Sequence, residues 1–400
     1  MFRKLFHRLL LPYHPWRRVT FTELSEMYLA VLLRTVSIGM VGIFVPVYLL
    51  KSGFMLPSIL EFYVLFYAFG IFNDLLCGGL IARFGPKHVM RTSFLLQTAF
   101  SLMLVELPHL PVPILLLSLV ASLASTMYFL PYHVGFSKIK HPKHGGKELG
   151  FLQVMERVGG VVGPLIGGAL ATYVNPRATF LAAAGAMFIA AIILMLSPEP
   201  VQTHQKLNFR GLAIKKELST YVSYVGFTVE NSVSLYLWPV FLAAVVFSYD
   251  AYLKIGTVSS VSVLAAVLVV IPLGRMLDKQ KGKKMIQLGT AINALIHLVR
   301  PFISTLGGAV GLSALNEPIT SVYRMAYLKG FYDSADDHPG YRIAYVTINE
   351  VVGDMARVVL WGLLLVLSLF VSASLVCAAG FLVGAAASLL IRAERFAALR

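Results

Sequence analysis

Acidic side chains are scarce in this chain: 19 aspartates and glutamates in 400 residues, against 34 lysines and arginines and a formal net charge of +15. Charged residues of both signs reach only 13%, about half the usage of a soluble domain, so a surface that meets water on all sides is excluded. Cysteine is limited to Cys77 and Cys377, both inside apolar runs. A disulfide framework is therefore ruled out, and two buried structural thiols are expected. No Gly-x-x-x-x-Gly-Lys-Ser/Thr loop occurs, which argues against direct ATP drive. His-Glu-x-x-His and Gly-x-Ser-x-Gly are missing as well, which argues against an intramembrane enzyme. No cofactor and no metal site is expected.

What the chain has in abundance is apolar length. Hydrophobic residues make up 58% and mean hydropathy is +0.77. Apolar segments fall at 24–50, 57–80, 89–107, 112–136, 149–172, 178–197, 219–247, 255–273, 285–304, 307–328, 342–370 and 373–391. Most reach the ~20 residues that cross a bilayer as a helix, and none shows the two-residue alternation of a barrel strand. The expectation is an all-α polytopic protein with twelve transmembrane helices.

If the chain starts in the cytoplasm, most basic residues collect on that side. They include Arg3, Lys4, Arg8, Arg17 and Arg18 before span 1, Lys138, Lys140, Lys143 and Lys147 after span 4, and Lys281, Lys283 and Lys284 after span 8. Only Lys51, Arg177, Lys254 and Arg300 fall on the outer side, while Arg34, Arg157, Arg324 and Arg357 lie within spans. Such a bias predicts cytoplasmic termini in a multi-pass plasma-membrane protein. It also accounts for the basic charge without nucleic acid. The lead from Met1 to Pro12 lacks the apolar core and cleavage site of a signal peptide.

The chain repeats itself at an offset of about 195 residues. Pro46-Val-Tyr-Leu49 matches Pro239-Val-Phe-Leu242, Tyr132-x-x-Gly135-Phe136 matches Tyr327-x-x-Gly330-Phe331, and Glu156-x-x-Gly159 matches Glu350-x-x-Gly353. Six spans per repeat give both halves the same orientation, and a binding site is expected at their interface. The polar connector from Ser197 to Lys216 divides them, giving six-helix bundles over 1–205 and 206–400.

At this point the chain resembles the major facilitator superfamily over essentially its whole length. The family's turn between helices 2 and 3, Gly-x-x-x-Asp-Arg-x-Gly-Arg/Lys-Arg/Lys, reads here Gly78-Gly-Leu-Ile-Ala82-Arg83-Phe-Gly85-Pro86-Lys87. Ala82 stands at the acidic position. The second copy, Gly274-Arg-Met-Leu-Asp278-Lys279-Gln-Lys-Gly282, keeps the aspartate and carries one extra residue. The resemblance implies that these turns tether neighbouring helices and help gate the cytoplasmic side. Span 5 carries Gly150-x8-Gly159-x3-Gly163-Pro164-x2-Gly167-Gly168, the glycine–proline signature of drug–proton antiporter-type members. Its residues equally suit close helix packing. The resemblance further implies that spans 1, 4, 7 and 10 line a cavity and that 2, 5, 8 and 11 form the interface between halves.

Ionisable residues inside the spans are the functional candidates, because each costs about 2.5–3.5 kcal/mol to insert. They are Arg34, Asp74, Glu156, Arg157, Glu230, Glu317, Arg324, Glu350, Asp354 and Arg357, with none in the interior of spans 3, 6, 9 or 12. Counting from span ends puts Glu230, Glu317, Asp354 and Arg357 near the midplane, with Arg34 and Glu156 about a turn towards the cytoplasm. Asn231 extends the polar patch at Glu230, and Asn316 precedes Glu317-Pro318, where proline kinks the helix. Asp354 and Arg357 share a helix face and can pair. His133 and His297 read as hydrogen-bonded structural residues, and Trp238, Trp361 and Tyr236 as packing aromatics.

These features predict a secondary transporter working by alternating access, with proton-coupled efflux of an amphipathic or cationic compound. Glu230 and Glu317 are the leading proton or cation sites, and Arg34 and Arg357 their counter-charges. Its partners are a small-molecule substrate, protons and the lipid bilayer, and it acts as a monomer. Two alternatives stay open: a uniporter or importer of a neutral or anionic metabolite, and a non-cycling sensor or scaffold, the latter favoured by Ala82.

Overall fold

The computed structural model describes residues 21–107, 112–139, 144–195, 204–209, 218–247, 250–278, 281–335 and 340–399. They are helical almost throughout, with no strand among them, and form twelve long helices in the predicted order. α1 runs Phe21–Val41, then continues past a 3-10 turn at Gly42–Phe44 as Val45–Lys51. It is followed by α2 (Leu56–Phe84), α3 (Pro86–Glu106), α4 (Ile114–Ile139), α5 (Gly145–Tyr173) and α6 (Pro176–Ile193). The second set is α7 (Leu218–Ser232, extended through Trp238–Phe241), α8 (Ala251–Asp278), α9 (Gly282–Val299), α10 (Leu306–Ala335), α11 (Tyr341–Ser368) and α12 (Ala373–Leu390). Arg3, Lys4, Arg8, Arg17, Arg18, Lys140, Lys143 and Lys279 lie outside the described residues, as does the side chain of Asp278, while Gly274 is described only as part of a helix.

Nine of the described helices are long and apolar enough to cross a membrane by length and composition. The other three, α3, α9 and α10, are diluted by polar residues. α3 and α9 open on Lys87 and Lys283, and α10 carries Asn316, Glu317 and Arg324. Part of that polar content is buried against neighbours, Asn316 of α10 and Asn293 and His297 of α9 among it, with Glu317 and Arg324 partly buried.

Proline shapes the two repeats at matching places. Pro46 and Pro239 each lack the N–H that would bond four residues back, and their rings crowd that carbonyl. α1 relieves this with the tighter 3-10 turn just before Pro46. α7 relieves it by widening into π turns at Val233–Leu237 and Leu242–Val246 on either side of Pro239. The repeat thus conserves the interruption and not its geometry.

Packing repeats more faithfully than local backbone. In the first six helices α1 packs on α5 and α6, α2 on α4, α3 on α4 and α6, and α5 on α6. Adding six to every label gives the contacts of the second set: α7 on α11 and α12, α8 on α10, α9 on α10 and α12, and α11 on α12. Between the sets the main contacts are α5 with α8 and α2 with α11, which exchange under the same operation. The result is two pseudo-symmetric six-helix bundles meeting along a two-part seam.

The glycines of α5 explain the tightest of these contacts. A Cβ on Gly159 would sit 2.8 Å from the Thr35 Cβ, one on Gly163 would sit 2.5 Å from the Val36 carbonyl oxygen, and one on Gly167 2.8 Å from the Met40 Cα. All three neighbours belong to α1, and two of them are backbone atoms that cannot rotate away. Across the seam, a Cβ on Gly256 of α8 would come within 2.9 Å of the Pro164 carbonyl oxygen. The signature therefore lets α5 touch α1 and α8 backbone to backbone. Gly163→Ala is expected to lower stability by about 1–3 kcal/mol through overpacking. Gly185→Ala, where a Cβ meets nothing within 4 Å, should leave the melting temperature of the detergent-solubilised protein unchanged.

Candidate functional site

The buried apolar residues fall into two clusters, one towards each end of the bundle, and both draw on both halves. Ionisable residues occupy the gap between them. Arg34 falls between Val31 and Met40 on α1, Asp74 between Tyr67 and Cys77 on α2, and Glu230 between Phe227 and Val233 on α7. Glu317 falls between Ala309 and Tyr323 on α10, and Glu350, Asp354 and Arg357 between Val346 and Leu360 on α11. Apolar layers above and below leave a polar layer at mid-height. Hydrocarbon-facing charge is costly, so this layer is held inside the bundle.

One ion pair in the layer joins the halves directly. Arg157 of α5 bonds Glu317 of α10 through Nη1, and its Nη2 donates to the Ser321 Oγ at 3.0 Å. The Glu317 side chain keeps 29% exposure, so the carboxylate stands at the edge of accessible space. Sequence reading singled out Glu317 and matched it with other arginines. The Arg157 partnership depends on the angle at which α5 meets α10, which no spacing reveals.

A second cluster sits where α2 meets α11. Asp354 pairs with Arg357, as their spacing suggests. The Arg357 guanidinium lies 5.1 Å from the Tyr67 ring centroid across the seam, and the Asp354 carboxylate rests where Gly70 leaves no Cβ. Asp74 shares the electrostatic neighbourhood of Asp354, Glu350 and Arg357. Its Oδ2 is buried without a hydrogen-bond partner. Glu350 accepts from the Tyr224 hydroxyl at 2.6 Å and faces His133 Nε2 at 3.6 Å. His133 also bonds the Tyr332 hydroxyl at 2.8 Å. Of the three carboxyl groups, Asp354 alone bonds the guanidinium, and Asp74 and Glu350 lie within its electrostatic reach.

Glu230 is placed differently. Its Oε1 accepts from Ser234 at 2.7 Å, Asn293 at 2.9 Å and His297 at 3.2 Å, and its Oε2 accepts from Tyr323 at 2.6 Å. Arg300 Nη1 lies 3.1 Å from His297 Nδ1. Arginine can only donate, so Nδ1 accepts and the imidazole proton sits on Nε2, pointing at Glu230. Arg300, counted by sequence with the outer loops, is in fact 2% exposed and packs over the Trp238 ring at 5.2 Å. Helix α9, free of acids, supplies Asn293 and His297 to this network, and the turn that follows it supplies Arg300. All the partners named belong to the second half, so Glu230 faces into that half. The signal available in sequence was the spacing Asn293–His297–Arg300, which keeps three polar side chains on one helical face.

The remaining candidates have distinct surroundings. The Arg34 guanidinium stacks on Tyr128, 3.4 Å from the ring centroid. Glu156 accepts from the Tyr132 hydroxyl at 3.0 Å, and Asn231 accepts from Arg324 at 3.4 Å. Asn316 is buried with its Oδ1 unpartnered. Trp361 donates to Ser232 at 2.9 Å and stacks on Tyr63 at 4.4 Å, with Tyr236 against the same tyrosine. Gly150 makes only an ordinary contact with Met325, and Gly168 approaches the Tyr252 carbonyl oxygen.

At the basic end, Gly78 lies under Thr347 of α11, 2.6 Å from where its Cβ would be. Gly85 turns the chain with φ +86, a region open to glycine. Arg83 lies over the Phe84 ring, Lys87 pairs with Glu26 of α1 at 2.7 Å, and Gly282 opens α9. The place of the missing acid is bridged by the central connector. The Gln205 backbone N–H donates to the Ala82 carbonyl at 2.9 Å, and its side-chain Oε1 accepts from Gly340 N–H at 2.8 Å. Gly340 is the N-cap of α11, so a neutral side-chain carbonyl dipole meets the positive end of that helix.

The fold and this layer define a membrane-spanning protein of two six-helix halves with a buried polar seam, the architecture of a secondary transporter. The sequence profile of the Major Facilitator Superfamily matches residues 27–323, and the chain belongs to that family of transporters. Comparison with curated proteins gives no match.

Removing the shared acceptor in Glu230→Leu leaves four donors unsatisfied. It is expected to destabilise the protein by about 3–5 kcal/mol, read as a drop in melting temperature in detergent. Gln205→Ala should loosen the basic end while leaving the fold intact. Cysteines introduced beside the α2–α11 contact at that end are expected to label faster with a membrane-impermeant thiol reagent.

Proposed function

We propose that this transporter exports an amphipathic or cationic compound in exchange for protons, across the plasma membrane, with the basic face and both termini in the cytoplasm. The bundles 1–205 and 206–400 rock about the polar layer, and the protein acts as a monomer. The observation that carries this reading is the α2–α11 cluster, in which Asp74, Glu350 and Asp354 gather within electrostatic reach of one arginine, Arg357. Two carboxylates beyond the guanidinium's charge are tolerated in a dry layer only when protons or a cationic ligand neutralise them. A cation arriving there displaces protons, and departing cations let them return, which is the exchange an antiporter needs.

The Arg157–Glu317 bond spans the halves and must part as they rock, so Glu317 is a second point where proton or solute binding meets motion. Glu230 holds a positioning role, fixing α7 against α9 and α10. Arg34 favours one rival reading. A guanidinium held over a ring at the layer suits an anionic metabolite, and a uniporter or importer built on it would need no proton gradient.

Flux in proteoliposomes separates these. Under an imposed pH gradient, wild type is expected to accumulate a cationic dye. Asp74→Asn and Glu317→Gln are expected to lose accumulation about tenfold while still exchanging solute with no gradient. Wild-type flux that is indifferent to a collapsed gradient would instead establish uniport. Crosslinking that finds a single access state, with or without ligand, would establish a non-cycling sensor.

A further inference from the structure

Outside the polar layer, the basic end of the second half holds a cleft of about 730 Å3 among Leu218 and Val222 of α7, Lys283 of α9, and the segment Arg392–Leu399 that follows α12. Its charge is lopsided. Lys283, Arg392 and Arg395 are exposed, whereas the acid among them, Glu394, is 7% exposed and accepts from the Phe396 backbone N–H at 2.9 Å. Arg392 is held in place, donating from Nε to the Thr290 Oγ1 at 3.0 Å and from Nη2 to the Gln287 carbonyl at 2.7 Å. A guanidinium anchored in this way offers its remaining N–H groups at little further entropic cost.

The apolar surroundings are equally directional. Leu218 and Val222, which line the cleft one turn apart on α7, are 62% and 37% exposed. Residues four apart share a helix face, so an exposed apolar edge leads from the cleft along α7 towards mid-height. Cationic groups beside a hydrocarbon-compatible edge match an anionic headgroup with its acyl chains, and a soluble anion would use only the first.

We propose that this cleft binds an anionic phospholipid of the leaflet at the basic face, with its phosphate between Lys283, Arg392 and Arg395 and its chains along Leu218 and Val222. The lipid ties the start of α7 and α9 to the segment after α12, and these elements move with the second half. The proposal rests on the reading that the basic face lies at the cytoplasmic leaflet, where anionic lipids concentrate. It does not depend on the proton-coupled efflux reading, which the flux assay tests separately.

The test uses the purified full-length protein in a neutral detergent, titrated with phosphatidylglycerol or phosphatidylcholine and followed by thermal unfolding and native mass spectrometry. Phosphatidylglycerol is expected to bind saturably and raise the melting temperature, and phosphatidylcholine is not. The Lys283→Ala/Arg395→Ala variant should bind phosphatidylglycerol about 30-fold more weakly, from about 1 kcal/mol for each basic residue near a lipid surface. Arg392 is left intact because it ties the terminal segment to α9. Arg91→Ala/Lys138→Ala, at the same face of the first half, should bind as wild type. Equal response to the two lipids overturns the proposal. So does an equal loss in both double variants, which would indicate general surface charge. Full stabilisation by glycerol phosphate alone would also overturn it, showing a soluble-anion site.

Discussion

Charge in hydrocarbon must be neutralised or enclosed, and most of this structure follows from that cost. The chain carries few acids, yet several of them lie at mid-height in the bundle. Most are met by donors: Glu317, Glu230 and Glu350 by other helices, through Arg157, through Tyr323, Asn293 and His297, and through Tyr224, and Asp354 by Arg357 one turn along its own helix. The pairing fixes which faces of α2, α5, α7, α10 and α11 turn inward. The apolar clusters above and below then seal the layer from both ends.

Two kinds of contact divide the work of holding the bundle together. Within the first half, α5 meets α1 through backbone, with glycines where side chains would otherwise intervene. Such contacts are short and unforgiving of displacement, as befits a body that moves as one. Along the seam, α5 also meets α8 closely at Pro164 and Gly256. Elsewhere the halves are joined by side chains: Arg157 to Glu317, Tyr67 to Ser232 at 3.2 Å, His133 to Tyr332 at 2.8 Å. Side-chain hydrogen bonds can be exchanged for other partners or water as helices separate, whereas interlocked backbone cannot. The Gln205 bridge is of the same exchangeable kind.

The acidic imbalance at α2 and α11 contrasts with the closed network around Glu230. In the latter, every oxygen has donors and Arg300 supplies the counter-charge through His297. Saturated hydrogen bonding rigidifies. In the former, Asp74 retains a carboxylate oxygen without a partner, and an unfilled acceptor in a buried layer is where a proton or ligand has most to gain. A buried carboxylate is thus saturated with donors in one place and left with an open acceptor in another.

Much of the fold was legible beforehand because it obeys one-dimensional rules. Apolar length gave the twelve helices, the repeat near 195 residues gave the pairing pattern that α1–α6 and α7–α12 share, and the spacing of Asp354 and Arg357 gave their ion pair. The glycine row of α5 gave close packing, though not that α1 would be its main partner. What the chain alone left open was rotational: which way each helix turns its polar residue. Glu230 and Glu317 read alike as deep acids in apolar helices, and only packing sends the first towards α9 and the second across the seam to Arg157. Arg300 read as a loop charge because it follows α9, and only the packing of Trp238 and Phe381 buries it. Length and periodicity depend on local backbone and on the bilayer, which sequence records directly. Partner choice depends on the relative rotation of helices far apart in the chain, which is settled when all twelve pack together.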